Sequence, residues 1–238
     1  MTPRSLTRTL SVCLLLLAAT LARAEWKQVY FEDFNTIAPN TETGVSSLSQ
    51  WERASALGVV YDGKTQEAGR FLIPRHSWSA FNQGPIFNLD LAATPHDRIK
   101  VEFDLYTFGD WRGFQRATGG PLHRLMFFDS KANPRFAFDT TFASNPAYRQ
   151  GWPGTNQASN KARTGGRPAM LDQSGRFKDA ICWPIKFEYE SDSSTLRFTV
   201  LSGAAAGSGT KLPPFGIDNV RVSVRSTAPT ITVKNLPA

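Results

Sequence analysis

The sequence is poor in cysteine and histidine, the residues that most often bind zinc. It has two cysteines and three histidines among 238 residues. None of these residues has the short spacing of a zinc site, and no nucleophile-elbow or triad motif is present. Cys13 lies in an N-terminal segment that we expect to be removed, so Cys182 has no cysteine partner and is interpreted as a small buried hydrophobe. The sequence therefore excludes an internal disulfide framework.

Long apolar runs are absent after the first residues. Two arginines precede an apolar stretch at Leu10–Leu21, and Ala22-Arg23-Ala24 follows it. The stretch is shorter than the roughly 18 to 20 residues that span a bilayer, and the A-x-A pattern is typical of a processing site. We predict a signal peptide over residues 1–24 and a secreted or periplasmic product with no stable membrane span. An uncleaved membrane anchor is the alternative.

The sequence also lacks a dense run of charge of one sign. The net charge is +7, from 27 basic and 20 acidic residues. Residues 1–24 hold three of the basic residues and no acidic ones, so the remaining chain has 24 minus 20, or +4. Its basic residues are scattered among acids, which argues against a nucleic-acid partner. No feature of the sequence specifies an oligomeric state.

What is present is apolar alternation with a period of two. Ile99, Val101, Phe103 and Leu105 alternate with polar residues, as expected for a strand with one buried face. The same pattern recurs around Ile185, Leu196 and Val220, and further strands are expected at Val29–Phe34, Leu57–Asp62, Arg70–Ile73, Leu125–Asp129, Arg135–Thr141 and Thr230–Lys234. We predict an all-β fold, a two-sheet antiparallel β-sandwich of the jelly-roll type, over residues 25–225, with residues 226–238 forming an edge strand or a tail.

One segment interrupts the alternation. Ala143–Cys182 is rich in Gly, Asn, Gln, Arg and Ala and contains three prolines. It predicts a long insertion loop. Loops of this length in a compact domain are usually functional or disordered, so the segment is either a binding surface or a surface excursion without a role.

Three segments resemble a known group of domains. They are Val29–Asn35, Phe103–Trp111 and Phe215–Val222, the last with the run Gly-Ile-Asp-Asn-Val-Arg-Val. They resemble exported bacterial jelly-roll domains of the concanavalin A-like and carbohydrate-binding-module kind. The resemblance implies architecture more than activity, because one fold supports many functions.

The resemblance also implies a metal. In many carbohydrate-binding jelly rolls, a glutamate of the first strand and an aspartate of the last hold a structural calcium, and the matching residues are Glu32 and Asp218. Calcium binds six to eight oxygens, so carboxylates from distant strands, with backbone carbonyls, suit it. The alternative is that Glu32 is an ordinary acid at a strand end and Asp218 caps a turn.

A catalytic pair is only partly present. Glu102-Phe103-Asp104 resembles the start of the E-x-D-x-x-E strand of jelly-roll glucanases, but Thr107 occupies the last acidic position. A retaining glycosidase needs two carboxyl groups about 5 to 5.5 Å apart, one as nucleophile and one as acid. We therefore assign no catalytic residue. The alternative is a polar strand face on which Lys100, Glu102 and Asp104 form charge pairs.

Aromatic and planar polar side chains concentrate in the predicted loops. Aromatic faces stack on sugar rings, and amides and guanidinium groups bind hydroxyls. The predicted ligand-binding residues are Trp111, Arg112, Asn145, Tyr148, Gln150 and Trp152. For each Trp the alternative is a place in the core.

These features predict a non-catalytic exported module that binds a glycan or another extracellular polymer. Two alternatives remain open. The first is a polysaccharide-acting enzyme, a jelly-roll glycosidase or lyase, with carboxylates near Glu102 and Asp104. The second is a structural or adhesive surface protein whose long loop contacts another protein.

Overall fold

The structure is a computed structural model that describes residues 25–35, 50–52, 54–61, 68–74, 85–113, 124–129, 135–154, 160–171, 179–203 and 215–226. The predicted signal peptide and the strand expected at Thr230–Lys234 lie outside these residues. The described part of the chain contains strands and no helix, and therefore no helical segment that could cross a membrane. The strands are β1 (Lys27–Glu32), β2 (Trp51–Glu52), β3 (Ala54–Tyr61), β4 (Ala68–Pro74), β5 (Ile86–Asp90), β6 (Arg98–Thr107), β7 (Arg124–Asp129), β8 (Arg135–Thr141), β9 (Arg149–Gln150), β10 (Asn160–Lys161), β11 (Arg167–Leu171), β12 (Ala180–Glu190), β13 (Thr195–Gly203) and β14 (Phe215–Arg225).

The strands form two main antiparallel sheets. One has seven strands in the order β1-β14-β4-β3-β11-β12-β6, and β14 also pairs with β6. The other has five strands in the order β2-β5-β13-β7-β8, and β9 and β10 form a separate pair. The predicted all-β antiparallel sandwich is confirmed.

The main core consists of side chains that alternate along the strands as predicted. Ile99, Val101, Phe103 and Leu105 of β6 are buried, with exposures of 0 to 3%. From β14, Val220, Val222 and Val224 join the same core, and β13 contributes Leu196, Phe198 and Val200. The intervening β6 residues Lys100, Glu102, Asp104 and Tyr106 lie on the opposite side of the seven-stranded sheet, which we call the second face.

The segment at Ala143–Cys182 contains more regular structure than expected. It holds β9, β10, β11 and the start of β12, and residues 155–159 and 172–178 lie outside the described part. β11 belongs to the seven-stranded sheet, where it pairs with β12 and β3. The segment predicted as a long insertion loop thus also contains short strands, which the sequence pattern did not indicate because they carry Arg, Asn and Pro in place of apolar alternation.

The first strand ends earlier than the sequence pattern suggests. β1 stops at Glu32, whereas the predicted strand continued to Phe34. Phe34 is fully buried with a φ of 56°, a left-handed conformation that extended backbone does not adopt. The Glu32 carboxylate accepts the Phe34 N–H at 2.8 Å and stabilises this turn.

Candidate functional site

Three of the predicted ligand-binding residues meet on the surface at the end of β6. Arg112 follows that strand, and Asn145 and Tyr148 precede β9. Asp110 joins them, and we call these four residues the loop cluster. Arg112 Nε lies 2.6 Å from Asp110 Oδ2, Asn145 Nδ2 donates to Asp110 Oδ1 at 2.9 Å, and the Arg112 guanidinium lies 5.8 Å from the centre of the Tyr148 ring.

Backbone bonds hold the two segments of the loop cluster together. Arg112 and Ala143 form an isolated antiparallel bridge, and the Ser144 N–H donates to the Trp111 carbonyl at 2.8 Å. The Ser144 hydroxyl accepts the Trp111 N–H at 2.9 Å and donates to the Gly109 carbonyl at 2.6 Å. The cluster is therefore an ordered surface on a hydrogen-bonded base.

Gly113 closes this base. Its φ is 58°, and a Cβ at this position would collide with the Arg149 carbonyl oxygen. Glycine is required here both by the left-handed backbone and by the close approach of the next segment. The requirement explains how the segment that follows β6 lies directly against Arg149 of β9.

Gln150 is a structural residue beneath the loop cluster. Its side chain is fully buried, and Oε1 accepts the N–H groups of Ala143 and Arg163 at 3.2 and 3.0 Å. Its Nε2 donates to the carbonyls of Trp152 and Thr164 at 2.7 and 2.8 Å. Gln150 was predicted to contact ligand directly, but its amide is used entirely to connect loop segments.

The two tryptophans predicted to bind ligand take different positions. Trp111 is fully buried and belongs to the main core, so its ring is not a surface platform. Trp152 is half-buried, with its ring 5.6 Å from that of Phe142 at an interplanar angle of 29°. Trp111 therefore takes the alternative position in the core, where its ring packs with the main hydrophobic cluster.

A second group of polar residues lies on the second face. Asp104 of β6 and Asp218 of β14 are direct partners in the antiparallel register. The Asp104 carboxylate accepts a hydrogen bond from Asn219 Nδ2 at 3.0 Å and lies 3.7 Å from an Arg167 nitrogen. Tyr106 and Cys182 are buried beside this pair, also directly opposite each other. We call Asp104 and Asp218 the carboxyl pair.

A β-bulge places Asp218 in this group. The register shifts between Asp218 and Arg221, where Asn219 has a φ of 52°. The additional residues allow both Ile217 and Val220 to face the main core while Asp218 stays opposite Asp104. Sequence analysis identified Asp218 but not its pairing with Asp104, which depends on the register of two distant strands.

Burial gives Asp218 an unusual protonation behaviour. The residue is 5% exposed, and its Oδ1 accepts the Asn219 N–H at 2.7 Å. Desolvation, together with smaller contributions from the negative charges of Asp104, Asp33 and Glu32, raises the pKa of Asp218 to about 8 in spite of that hydrogen bond. Burial likewise raises the pKa of the Cys182 thiol to about 11, so Cys182 is not an activated nucleophile.

The predicted calcium ligands are close enough to interact but form a sparse donor set. Glu32 lies in β1, next to the β14 segment that follows Asp218, and its charge acts on the Asp218 carboxyl. Within the described part of the chain, no group of three or more His, Cys, Asp or Glu residues is placed to hold a metal ion. Two carboxylates provide fewer oxygens than calcium prefers, so further oxygens would have to come from backbone carbonyls or water.

The E-x-D strand carries charge pairs and no second glutamate. Lys100 Nζ lies 3.3 Å from Glu102 Oε2, as the charge-pair alternative proposes. Thr107, at the position of the missing acid, is fully buried and its hydroxyl accepts the Trp183 indole N–H at 2.9 Å. The structure thus pairs Asp104 with Asp218 across strands, and not with Glu102 along one strand.

Fold and site together describe an antiparallel β-sandwich with a polar and aromatic loop cluster at one end and a carboxyl pair on one face. No protein-family model matches the sequence, and a search of curated proteins also finds no match.

The solved structures that match this chain include carbohydrate-binding modules. One contains the CBM22-1 and GH10 modules of endo-1,4-β-D-xylanase 10B from Clostridium thermocellum, complexed with xylohexaose; it is 9% identical with a TM-score of 0.37, covering 87% of this chain and 30% of that one. A xylan-binding CBM22 domain is 14% identical with a TM-score of 0.34, covering 84% and 97%. The mannan-recognising module TmCBM27 is 14% identical with a TM-score of 0.35, covering 85% and 100%. The present chain therefore spans less than a third of the length of the xylanase structure.

Proposed function

We propose that this protein is an exported, non-catalytic binding module and that the loop cluster binds a glycan. The observation that carries the proposal is the convergence of a guanidinium, a carboxylate, an amide and an aromatic ring at one surface site. Hydroxyl groups of a sugar need both donors and acceptors, and Arg112, Asp110 and Asn145 supply them. Tyr148 adds an apolar ring face on which a pyranose can stack.

Preorganisation supports this role. Binding costs conformational entropy when side chains and loops must be ordered, and a rigid site avoids part of that cost. Here the Arg112 and Asn145 side chains are already oriented by Asp110, and the backbone beneath them is held by Ser144 and Gln150. The site is therefore ordered before ligand arrives.

Replacing Tyr148 by Ala should weaken glycan binding by about tenfold, because a stacking aromatic contributes about 1 to 1.5 kcal/mol. Affinity electrophoresis against soluble xylan, mannan and β-glucan identifies the ligand and measures the loss. Lys161→Ala is the matched control, since Lys161 is an exposed residue of the neighbouring β10 strand. The proposal fails if the natural protein binds none of the glycans, or if both variants bind equally well.

The carboxyl pair favours a second candidate function, hydrolysis of a glycosidic bond. Directly opposite residues on antiparallel strands have Cβ atoms about 4.5 to 5.5 Å apart, which suits the carboxyl spacing of about 5 to 5.5 Å in retaining glycosidases. Their surroundings differ, since Asp104 has an arginine and an amide partner whereas Asp218 is buried. In this scheme, Asp218 gives its proton to the leaving oxygen as the C–O bond breaks, Asp104 adds to the anomeric carbon, and water then releases the sugar.

Hydrolysis predicts a specific loss of activity. Asp104→Asn should lower the release of reducing sugar from the bound glycan by at least about 100-fold, because a neutral amide cannot act as nucleophile. Glu102→Gln on the same strand is the control and should retain activity, since Glu102 forms a charge pair with Lys100. If the natural protein binds the glycan without releasing reducing ends, the enzyme candidate is excluded and the binding module stands.

A further inference from the structure

The carboxylates of β6 and β12 on the second face each have a basic partner within 4 Å. The pairs are Glu102 with Lys100 at 3.3 Å, Asp104 with Arg167 at 3.7 Å, Glu188 with Lys186 at 3.7 Å and Glu190 with Arg98 at 2.8 Å. Charge on this part of the face is therefore locally balanced.

Two arginines of β14 are left over on the same face. Arg221 lies opposite Glu102 in the register, but the Glu102 carboxylate contacts Lys100 instead. Arg225 lies opposite Arg98, whose partner is Glu190. Within the described part of the chain, neither Arg221 nor Arg225 forms an ion pair, and the Arg225 Nε is buried without a hydrogen-bond partner.

Both arginines lie against aromatic rings. The Arg221 guanidinium is 5.2 Å from the centre of the Phe31 ring, and that of Arg225 is 4.8 Å from the Trp26 ring, which Lys100 also approaches at 5.1 Å. Phe31 is a large hydrophobic residue that is nevertheless 44% exposed. Contact with a ring orients each guanidinium and leaves its N–H edge available to an anion.

We infer that the β1–β14 part of the second face binds an acidic polysaccharide, with Arg221 and Arg225 pairing to carboxylate or sulfate groups and Phe31 and Trp26 contacting the sugar rings. Unpaired guanidinium groups bind such anions through two parallel hydrogen bonds. The two arginines are four residues apart on one side of a strand, about 13 Å along it, so one small anion cannot engage both. A polymer with repeated anionic groups can.

This surface lies on the sheet, whereas the loop cluster lies at the end of β6, so the inference extends the proposed function by adding a second site and a charged class of glycan. It rests on the protein being a glycan-binding module. The charge balance elsewhere on the face favours a localised contact over general attraction to polyanions, because the carboxylates of β6 and β12 are each paired with a basic residue.

The test measures binding of the whole protein to polygalacturonate, to dextran sulfate and to uncharged dextran. Arg221→Gln and Arg225→Gln should each weaken binding to an acidic polymer about tenfold, and salt at about 0.5 M should abolish it. Arg197→Gln is the control for loss of one positive charge, since Arg197 is exposed on β13 of the other sheet and should bind normally. Comparison of the two acidic polymers shows whether carboxylate or sulfate is preferred.

Three results would contradict the proposed binding of acidic polysaccharide. The inference is overturned if neither acidic polymer binds, if Arg197→Gln loses as much affinity as the β14 variants, or if single-stranded DNA and anionic vesicles bind equally well with the same arginine dependence. Tyr148→Ala separates the two sites, because it should leave binding to acidic polymer unchanged. If the natural protein binds an acidic polymer but no neutral glycan, the loop-cluster proposal alone is refuted. If it binds a neutral glycan but no acidic polymer, only this inference is refuted.

Discussion

Replacing Asp218 by Asn should increase the free energy of unfolding at about pH 8 by about 5 kcal/mol. In the folded protein, burial and neighbouring acids raise the pKa of Asp218 to about 8, whereas a carboxyl in the unfolded chain has a pKa of about 3.9. Near neutral pH the folded state must therefore keep a proton that the unfolded state releases. An amide carries no such cost and can still accept the Asn219 N–H.

The sign of the pH dependence follows from proton binding. Between about pH 4 and about pH 8 the folded state holds one more proton than the unfolded state, so the stability of the natural protein falls as pH rises through this window. The slope is about 1.4 kcal/mol per pH unit from this group, and it disappears above the folded pKa. Asp218→Asn should show a correspondingly flatter profile.

Urea unfolding in chelator at about pH 5 and about pH 8 measures both effects. Glu188→Gln is the control, because Glu188 is an exposed carboxylate paired with Lys186 and should leave the profile nearly unchanged. A less stable Asp218→Asn variant at the higher pH would show that the Asp218 carboxylate is stabilised in the folded protein and that the expectation is wrong.

The same variant tests the calcium prediction. If calcium binds between Glu32 and Asp218, it should raise the melting temperature of the natural protein by mass action, and Glu32→Gln and Asp218→Asn should each lose that increase. With calcium bound, the natural protein should be more stable than Asp218→Asn, the reverse of the order expected in chelator. The reason is that calcium replaces the proton as the partner of the buried Asp218 carboxylate. A melting temperature that calcium does not change would contradict the metal site.

Replacing Gln150 by Leu should lower the free energy of unfolding by about 4 kcal/mol. The substitution keeps the volume of the side chain but removes four hydrogen bonds in a fully buried position. Each lost hydrogen bond contributes about 0.5 to 1.5 kcal/mol, and the loss is larger, about 1 to 3 kcal/mol, for a group left buried without a partner, such as the Ala143 N–H. The Arg163 N–H and the Trp152 carbonyl each keep one other partner. Because the loops can relax in part, the expected loss of unfolding free energy is smaller than the sum of the four individual losses.

Urea unfolding measures this loss, and Asn160→Ala provides the comparison. Asn160 bonds the carbonyls of Gly151 and Trp152 through Nδ2 but is only half-buried, so water can replace it at a cost of about 1 kcal/mol. Gln150→Leu should also weaken glycan binding at temperatures where it remains folded, because the loop cluster depends on the same base. A loss of stability no greater than that of Asn160→Ala would show that the loops do not depend on Gln150.

The fold could be predicted from the sequence where the apolar period was regular. β6, β12, β13 and β14 follow it, and their apolar residues form the main core. β5 and β11 were not predicted as strands, because Ile86–Asp90 is short and Arg167–Leu171 begins with polar residues and a proline. In both cases a neighbouring strand supplies the hydrogen bonds that define the element.

The candidate site was predicted in part. Arg112, Asn145 and Tyr148 meet at the surface as expected, since polar residues with aromatics in a glycine-rich segment favour exposed loops. Gln150 and Trp111 are buried, although the same composition surrounds them. Composition identifies a region, but the burial of one side chain depends on how that region packs.

The sequence by itself determined the all-β class, because alternation of polar and apolar residues is a local property that matches the two faces of a strand. It also provided the residues from which a glycan site can be built. Only the tertiary structure decided which of them meet. The pairing of Asp104 with Asp218 and the two unmatched arginines of β14 depend on strand register, and the burial of Gln150 depends on the packing of the loops around it. Both are fixed by contacts between residues distant in the chain.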